Sequence, residues 1–391
     1  MFARRTEWNL VENRFAETLR SARASGAELL DLTVSNPTRC NFKFDSERIL
    51  TALSHAGSLN YDPDAQGLLL ARKAVAEYYN ASKVRGNAAP GLPEQIFLTT
   101  STSEAYSYLF RLLCDPGDEV LVPRPSYPLF DYLADIQDIH LRAYELFYDH
   151  GWHVDFGGLQ RLVTGRTRAV LVVNPNNPTG SFVQGSELDQ LTSFCRQWDL
   201  ALISDEVFLD YEVEGAADVS AAFSTECLSF ALSGLSKISC LPQMKLAWIV
   251  LNGPEHVRAE AHARLQLISD TYLSVNAPIQ HAAQELLKQK DQLQPQLVQR
   301  VRANLKFLDQ HLRTAQSIQR LKVEGGWYAI VRIPAKKSDE DVAIELISRA
   351  GVVVHPGHFY DFPHEGYLVV SLITPEDQFQ KGIRATLEIA A

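Results

Sequence analysis

Short apolar runs alternate with helical periodicity from about residue 95 to about residue 250 of the chain. The runs, each bounded by polar, Pro-rich or Gly-rich turns, are residues 96–99, 120–122, 169–173, 200–203, 228–232 and 246–251. Runs of this length are typical of buried strands, and the helical spacing between them predicts covering helices. Strands that alternate with helices predict an α/β fold with a mostly parallel sheet, covered by helices on both faces.

The pattern changes at both ends of the chain. Residues 1–30 have apolar positions at helical spacing, which predicts an arm followed by a helix. Residues 283–307 predict a long helix that Pro295 interrupts. Further on, strands are predicted at residues 327–333 and 366–372, with a helix at residues 340–350 between them.

The length of 391 residues exceeds what one hydrophobic core usually organises. We therefore predict an N-terminal arm and part of a smaller domain in residues 1–46. Residues 47–280 are predicted to form a large ligand-binding domain, and residues 281–391 a small α+β domain.

Composition narrows the class of protein. A hydrophobic content of 46% and a charged content of 21% are ordinary for a globular chain. No apolar run approaches the roughly 18 residues of a membrane helix, and the first residues lack the apolar core of a signal peptide, so a cytoplasmic protein is expected. The net charge of −10, without Lys and Arg clusters, disfavours a nucleic-acid surface. The expected partner is a small molecule.

Cysteine and histidine spacing gives no sign of a disulfide framework or a metal centre. The five cysteines are scattered and form no C-x-x-C motif, which suits reduced thiols. The closest histidines, His355, His358 and His364, lie in a turn-rich segment where a structural role is more usual than metal binding. No metal is predicted.

A single lysine, Lys237, lies in a small-residue turn that follows the apolar run at residues 228–232. A buried lysine loses solvation, its pKa falls, and the neutral amine can attack an aldehyde. Lys245 follows eight residues later, where the next apolar run begins. One lysine could bond an aldehyde while the other neutralises a phosphate. From the residues alone, two ordinary loop lysines are the alternative.

Polar turns also follow other predicted strands. Residues 100–104 (Thr-Ser-Thr-Ser-Glu) open a helix, and a helix N-terminus with hydroxyls suits a phosphate or serves simply as an N-cap. Residues 123–128 contain three prolines that fix a turn presenting Tyr127. Residues 174–180 and the acidic pair at 205–206 follow the next two strands. Ligands of open α/β sheets bind at this edge.

Taken in order, these motifs resemble those of the class I/II aminotransferases, the pyridoxal-phosphate enzymes of the aspartate aminotransferase fold, also called fold type I. The matching segments are residues 61–67, 101–105, 115–118, 125–128, 177–180, 205–206 and 236–237. The resemblance covers nearly the whole chain. It rests most strongly on the order and spacing of Asn-Asn-Pro-Thr-Gly, Asp-Glu and Ser-Lys. It implies a large domain with a mostly parallel sheet and a smaller α+β domain.

The resemblance implies a role for each matched residue at the cofactor ring. Lys237 would hold pyridoxal 5′-phosphate covalently and would then move a proton between the substrate Cα and the cofactor. Asp205 would keep the pyridine nitrogen protonated. Asn177 would donate a hydrogen bond to the phenolic oxygen of the ring, and Tyr127 would stack on its face.

The resemblance also implies a phosphate site shared between two subunits. Thr102 and Ser103 would supply N–H and hydroxyl groups, and Ser236 is a further cofactor contact. Lys245 occupies the place of the family's phosphate-binding arginine and would supply charge without the bidentate fork. Tyr61 would reach the phosphate from the neighbouring subunit, which implies a homodimer.

Besides Lys245, three positions depart from the family pattern. Phe208 replaces the tyrosine that many members have three residues after the aspartate. Gly234 replaces a phosphate-binding Ser or Thr, for which Ser233 or Ser236 would substitute. Val369 lies where the family has the arginine that binds the substrate α-carboxylate. Arg39, in the turn at residues 35–39, is the nearest sequence candidate for that missing cation, and a solvated loop arginine is the alternative.

The predicted function is the transfer of an amino group between an amino acid and a 2-oxo acid. Because the usual carboxylate arginine is absent, a lyase or decarboxylase with the same cofactor is an alternative. A third hypothesis is a cofactor-binding regulator that has no enzymatic activity. Such regulators carry a DNA-binding domain ahead of this fold, and the first 30 residues are too short and insufficiently basic to form one.

Overall fold

A computed structural model describes residues 1–84, 92–127, 130–273, 275–314 and 317–390. Pro128 of the predicted aromatic turn lies outside these ranges. The strands are β1 (Leu30–Asp31), β2 (Ile96–Thr99), β3 (Glu119–Arg124), β4 (His140–Tyr148), β5 (Trp152–Val154), β6 (Thr167–Val173), β7 (Ala201–Asp205), β8 (Ser229–Gly234), β9 (Ala247–Asn252), β10 (Gln319–Arg320), β11 (Tyr328–Arg332), β12 (Val352–Val353), β13 (His355–Pro356) and β14 (Tyr367–Ser371).

The helices follow the same numbering along the chain. They are α1 (Arg14–Ala24), α2 (Ser46–Leu53), α3 (Leu69–Ala81), α4 (Thr102–Leu113), α5 (Phe130–Ile136), α6 (Phe156–Leu162), α7 (Gly185–Trp198), α8 (Leu235–Ile238), α9 (Glu255–Tyr272), α10 (Ala277–Lys288), α11 (Lys290–Leu312), α12 (Asp339–Ala350) and α13 (Glu376–Ala390). Among these described helices, none is long and apolar enough to cross a bilayer.

The largest sheet has the strand order β2-β9-β8-β7-β6-β3-β4-β5. Its central strands, from β4 through β3, β6 and β7 to β8, pair in parallel. Antiparallel pairs occur towards the edges, where β5 joins β4 and where β9 lies between β8 and β2. The prediction of an α/β fold with a mostly parallel sheet is therefore confirmed.

Both faces of this sheet are buried, as the continuous apolar runs predict. Alternate residues of a strand point to opposite faces. In β6, Ala169 and Leu171 belong to a core that includes residues of α4 and α9, whereas Val170 and Val172 belong to the core that includes α7. A strand covered on both sides has no polar face, which explains why the run reads as apolar throughout.

A smaller antiparallel sheet, with the order β10-β11-β14-β13, lies in the C-terminal part of the chain. The N-terminal segment joins this part, because β1 pairs in parallel with β12 and sets Leu30 opposite Val352. Trp327, just before β11, packs in the same core as the large sheet's α7 face. The boundaries at residues 46 and 280 stay a prediction.

The helix break expected at Pro295 is wrong. Gln289 separates α10 from α11, and Pro295 lies inside α11. Proline removes one hydrogen bond near the start of this 23-residue helix. The buried side chains of Leu293 and Leu297 flank it and keep the helix packed against the core. Tertiary packing thus outweighs the local signal.

Candidate active site

The carboxyl ends of neighbouring parallel strands bring the predicted polar turns together. Val173 at the end of β6 lies opposite Asp205 at the end of β7, and Asp205 lies opposite Leu232 of β8. The segments that leave these strands therefore start at the same edge of the sheet. They carry Asn177 and Lys237. At such an edge an open α/β sheet binds its ligands.

A cavity of about 310 Å³ opens at this edge. Most of the residues proposed from the sequence line it, namely Thr102, Ser103, Tyr127, Asn177, Asp205, Ser236 and Lys237. They come from five separate segments of the chain. Convergence of polar groups on one concave site is what a shared ligand requires. The individual role of each residue stays a prediction.

Lys237 lies in the short helix α8, directly after the end of β8. Its Nζ is 4.8 Å from the ring centre of Trp327 and 5.3 Å from that of Phe208. Burial lowers the pKa of Lys237 to about 8, against the opposing influence of Cys240 and Asp205. Within the described chain no oxygen accepts a hydrogen bond from Nζ. A larger fraction of this amine is therefore neutral and reactive than of an exposed lysine.

Asp205 is buried and held by two donors. The hydroxyl of Tyr106 donates to Oδ2 over 2.7 Å, and the Val207 N–H donates to Oδ1 over 3.2 Å. Burial raises the pKa of Asp205, and these two bonds together with nearby Lys237 oppose the rise. A carboxylate in this position gains from a cationic ligand, because a positive charge compensates for its lost hydration.

Residues 100–104, at the N-terminus of α4, were predicted either to cap the helix or to bind a phosphate, and the structure allows both. Ser101 accepts the Glu104 N–H over 3.2 Å, and the Glu104 carboxylate accepts the Thr100 N–H over 2.6 Å. This reciprocal cap occupies Ser101 and Glu104. The next amides, of Thr102 and Ser103, have no intrahelical acceptor, because they belong to the first turn. Since both residues line the cavity, the helix end can be capped and bind an anion at once.

Asn177 and Tyr127 lie on other walls of the cavity. Asn177 is buried, and its side-chain oxygen has no hydrogen-bond partner in the described part of the chain. A buried amide oxygen without a partner is costly unless a ligand or water satisfies it. The Tyr127 ring meets Phe130 edge-on, with ring centres 5.9 Å apart. Burial and the charge of Asp205 raise the pKa of Tyr127, so its hydroxyl stays neutral.

Two proposed residues do not line the cavity of their own chain. Lys245 is exposed, in a left-handed conformation with φ of 52°, between a turn and β9. Tyr61 is 80% exposed and lines a different cavity of about 290 Å³, together with Gln280 and His281. The placement of Tyr61 is the one that a contact with a second subunit would need. Both phosphate roles stay predictions.

The structure explains the departure at Gly234. This residue ends β8 directly opposite Ala247 of β9. A Cβ added here would lie 2.9 Å from both the Ala247 Cβ and the Leu246 carbonyl oxygen. Contacts that short require the strands to move apart, so a Ser or Thr does not fit between them. Phe208, the other departure near Lys237, packs edge-on against Trp327 at 5.1 Å.

Sequence reasoning missed several residues that line the cavity. They are Ser35, Tyr106, Phe130, Leu133, Val173, Val207, Phe208, Tyr328, His355 and Tyr360. Three of them have a sequence signal without a predicted site role: Ser35 begins the turn at residues 35–39, Phe208 departs from the family pattern, and His355 belongs to a histidine group. Helical spacing could have predicted Tyr106, because it lies four residues after Thr102 and therefore on the same face of α4. The small-sheet residues carry no local signal, because tertiary packing alone brings them to the large sheet. Among the described residues, no group of His, Cys, Asp and Glu could hold a metal ion.

The fold and the site define a class of protein. A lysine of lowered pKa lies beside a buried carboxylate at the ligand-binding edge of a doubly covered α/β sheet. Such a site suits chemistry in which an amine reacts with a carbonyl group and a proton then moves.

The family model of class I and II aminotransferases matches residues 27–385, and the chain belongs to this family. It is 26% identical to the glutamate-pyruvate aminotransferase AlaA of Haemophilus influenzae over 369 residues, which are 92% of this chain and 89% of that one. It is 27% identical to the alanine aminotransferase of Mycobacterium bovis, covering 88% and 81% of the two chains. The alanine aminotransferase of Pyrococcus furiosus has the same fold, with a TM-score of 0.88 at 23% identity over 99% of each chain.

These comparisons confirm the predicted reaction class. The protein is an aminotransferase, and it moves an amino group between an amino acid and a 2-oxo acid.

Proposed function

We propose that this aminotransferase uses pyridoxal 5′-phosphate and binds it in the 310 Å³ cavity. The observation that carries the proposal is Lys237, whose pKa burial lowers to about 8 at the edge where Asp205 is buried. When bound, the cofactor supplies an aldehyde that takes up the amino group and a ring that accepts negative charge. The described residues of the cavity fit both the ring and the phosphate of this cofactor.

The ring end fits Asp205 and Asn177. Asp205 is buried and already fixed by Tyr106, so it can hold a proton on a pyridine nitrogen without moving. Asn177 has a buried amide oxygen without a partner, and its side chain is free to turn its N–H groups towards a phenolic oxygen. Tyr127 supplies an aromatic face on the wall of the same cavity.

The phosphate end fits the first turn of α4. Thr102 and Ser103 offer amides and hydroxyls, and the helix dipole adds partial positive charge. Ser236 lies beside Lys237 on the cavity wall and offers a further hydroxyl. Lys245 would add its charge from the rim.

Lys237 moves the proton of the reaction. With a pKa of about 8, about a tenth of its amine is neutral at pH 7, against about one part in three thousand for an ordinary lysine. The rings of Phe208 and Trp327 flank this amine, with ring centres 5.3 Å and 4.8 Å from Nζ. The neutral amine can take a proton from the substrate Cα and return it to a neighbouring atom.

We also infer that two copies of the chain assemble. Tyr61 is 80% exposed and Leu59 is 91% exposed, and Leu267 and Leu273 are further large apolar side chains in solvent. A contact between two copies would remove such apolar side chains from water. In this arrangement Tyr61 completes the phosphate site of the partner subunit.

Five unpaired cysteines suit the reducing cytoplasm.

The relatives' names suggest alanine and glutamate as the first amino donors to test, with pyruvate and 2-oxoglutarate as acceptors. The test follows the cofactor absorbance of the purified holoenzyme when one amino acid is added without an acceptor. Transfer predicts full conversion to the aminated cofactor and release of one equivalent of the 2-oxo acid. Continuous product release with an unchanged cofactor spectrum would identify a lyase or decarboxylase instead. Borohydride treatment followed by peptide mapping should attach the cofactor to Lys237; attachment at Lys245 would reverse the assignment of the two lysines.

A further inference from the structure

Among the described residues, no arginine lines the cavity to bind the carboxylate of an amino acid. Lys237 is the one lysine among the described residues that line it, and its amine is needed for the reaction. Val369 is 1% exposed, and Arg39 is exposed without lining the cavity. A carboxylate that enters a partly desolvated site without a positive partner is strongly disfavoured. Another group must therefore compensate its charge.

The strand register places His355 next to the position of the absent arginine. In the small sheet, β14 lies between β11 and β13, and Val369 pairs with Ile330 on one side and with His355 on the other. Directly opposite residues of antiparallel strands project from the same face, with Cβ atoms about 5 Å apart. Val369 and His355 therefore share a face, and His355 is the one of the two that lines the cavity.

The surroundings of His355 leave one ring nitrogen for a ligand. Its Nδ1 is 3.0 Å from the hydroxyl of Tyr360, which also lines the cavity. Nε2 has no hydrogen-bond partner among the described residues. The ring packs against Phe359, with ring centres 5.8 Å apart. Nδ1 is thus engaged from within the protein, and Nε2 is the atom that can meet a substrate oxygen.

The charge of His355 responds to its neighbours. Burial lowers the pKa of His355 to about 4, and the carboxylate of Asp31 on β1 opposes that shift. The nearby hydroxyls of Tyr360 and Tyr328 remain neutral, because burial raises the pKa of both well above the ordinary range. The imidazole is therefore neutral without a ligand at pH 7. A substrate carboxylate beside it would favour the protonated form.

We propose that His355 takes the place of the missing arginine, and that it accepts one proton from solvent as the substrate carboxylate binds against Nε2. The imidazole becomes an imidazolium, the carboxylate remains ionised, and the complex gains one proton overall. This proposal rests on the proposed function, since it assigns a partner to the carboxylate of the same substrates. It makes His355 a specificity-determining residue for 2-amino and 2-oxo acids.

The test uses the holoenzyme and propionate, a carboxylate with no amino or oxo group that could react. Calorimetric titration in two buffers of different ionisation enthalpy measures the protons taken up on binding. We expect the parent to take up protons on binding propionate, with the uptake rising and Kd falling, by up to about tenfold for each pH unit, as the pH is lowered from 8 to 6. His355→Gln keeps a polar side chain but cannot become cationic. It should bind propionate at least about tenfold more weakly at pH 6 and lose that proton uptake.

His358→Gln is the matched control. This histidine lies three residues after His355, is exposed and does not line the cavity, so its replacement should leave both quantities unchanged. The difference in proton uptake between the parent and each variant also removes the contribution of other groups, such as Lys237, which the variants share. Two results would overturn the proposal: the parent binds propionate without taking up a proton, or His355→Gln has the same propionate affinity and proton uptake as the parent. Either result would point to the neutral hydroxyls of Tyr328 and Tyr360.

Two further measurements keep the result unambiguous. Circular dichroism checks that His355→Gln is folded. Val369→Arg in the parent supplies a permanent cation on the same face and does not depend on that variant. Propionate binding by Val369→Arg without proton uptake supports the proposal, and unchanged proton uptake counts against it. The propionate result is independent of turnover. If no amino acid aminates the cofactor, the proposed function fails, whatever His355 does.

Discussion

The hydroxyl of Tyr106 donates a hydrogen bond to Oδ2 of Asp205 over 2.7 Å, and both side chains are buried. Tyr106 lies on α4, one turn after Thr102, whereas Asp205 ends β7. The bond therefore joins the proposed phosphate-binding turn to the carboxylate proposed for the cofactor ring. It fixes the orientation of that carboxylate from inside the protein, and Tyr106 is accordingly a positioning residue.

Removal of this bond should change the titration of Asp205. In Tyr106→Phe the charged form of Asp205 loses a donor, so its pKa should rise further. A hydrogen bond to a charged group contributes roughly 1.5–3 kcal/mol, which corresponds to about one to two pH units. We expect the acid limb of the kcat profile to move upward by that amount. Tyr108→Phe, on the same helix but outside the cavity, should leave the profile unchanged. An unshifted limb in Tyr106→Phe would show that this bond does not control the charge of Asp205.

The pH dependence of cofactor attachment should report the amine of Lys237. Without cofactor, only the neutral amine attacks an aldehyde, and the pKa of Lys237 is about 8. The rate at which the cofactor-free enzyme binds pyridoxal 5′-phosphate should rise about tenfold per pH unit below pH 8 and level off above it. Stopped-flow absorbance measures this rate. A rise that continues to about pH 10, as for an exposed lysine, would contradict the lowered pKa.

The proposed phosphate role of Lys245 predicts weaker cofactor retention in Lys245→Ala. Loss of one charge from a partly exposed phosphate site should raise the cofactor Kd by about three- to tenfold. The α4 terminus would remain in place. Lys306→Ala, which removes an exposed lysine from α11, is the matched control. Equal retention by both variants, measured by dialysis and absorbance, would place Lys245 in solvent with no part in cofactor binding.

Gly234 should be required for packing rather than for phosphate binding. In Gly234→Ser, the new Cβ would lie 2.9 Å from the Leu246 oxygen, and β8 and β9 must shift. We expect the free energy of unfolding in urea to fall by about 1–3 kcal/mol. Gly165→Ser is the control, because an added Cβ there has no neighbour within 4 Å among the described residues. If both variants are equally stable, the departure at residue 234 has another cause than the close approach of the strands.

Most of the large-domain part of the site follows from the sequence because its signals are local. Each apolar run ends in a polar turn, and parallel strands deliver their carboxyl ends to a common edge. That rule and the order of the motifs predict Asn177, Asp205 and Lys237 at this edge, where the structure has them, and their individual roles stay predictions. The hydroxyl-rich sequence at the start of α4 predicted Thr102 and Ser103. Each of these turns is determined by residues close together in the chain.

The tertiary structure alone decided the rest. Trp327 and His355 come from the C-terminal part, and only packing of the small sheet against the large one sets Trp327 against Lys237 and His355 on the wall of the cavity. The sequence showed that Val369 is no arginine, but only strand register reveals that His355 shares its face. Local residues determine a turn or a cap through contacts a few positions apart. The surroundings that lower the pKa of Lys237 and His355 depend on burial by segments far apart in the chain, which no local pattern encodes.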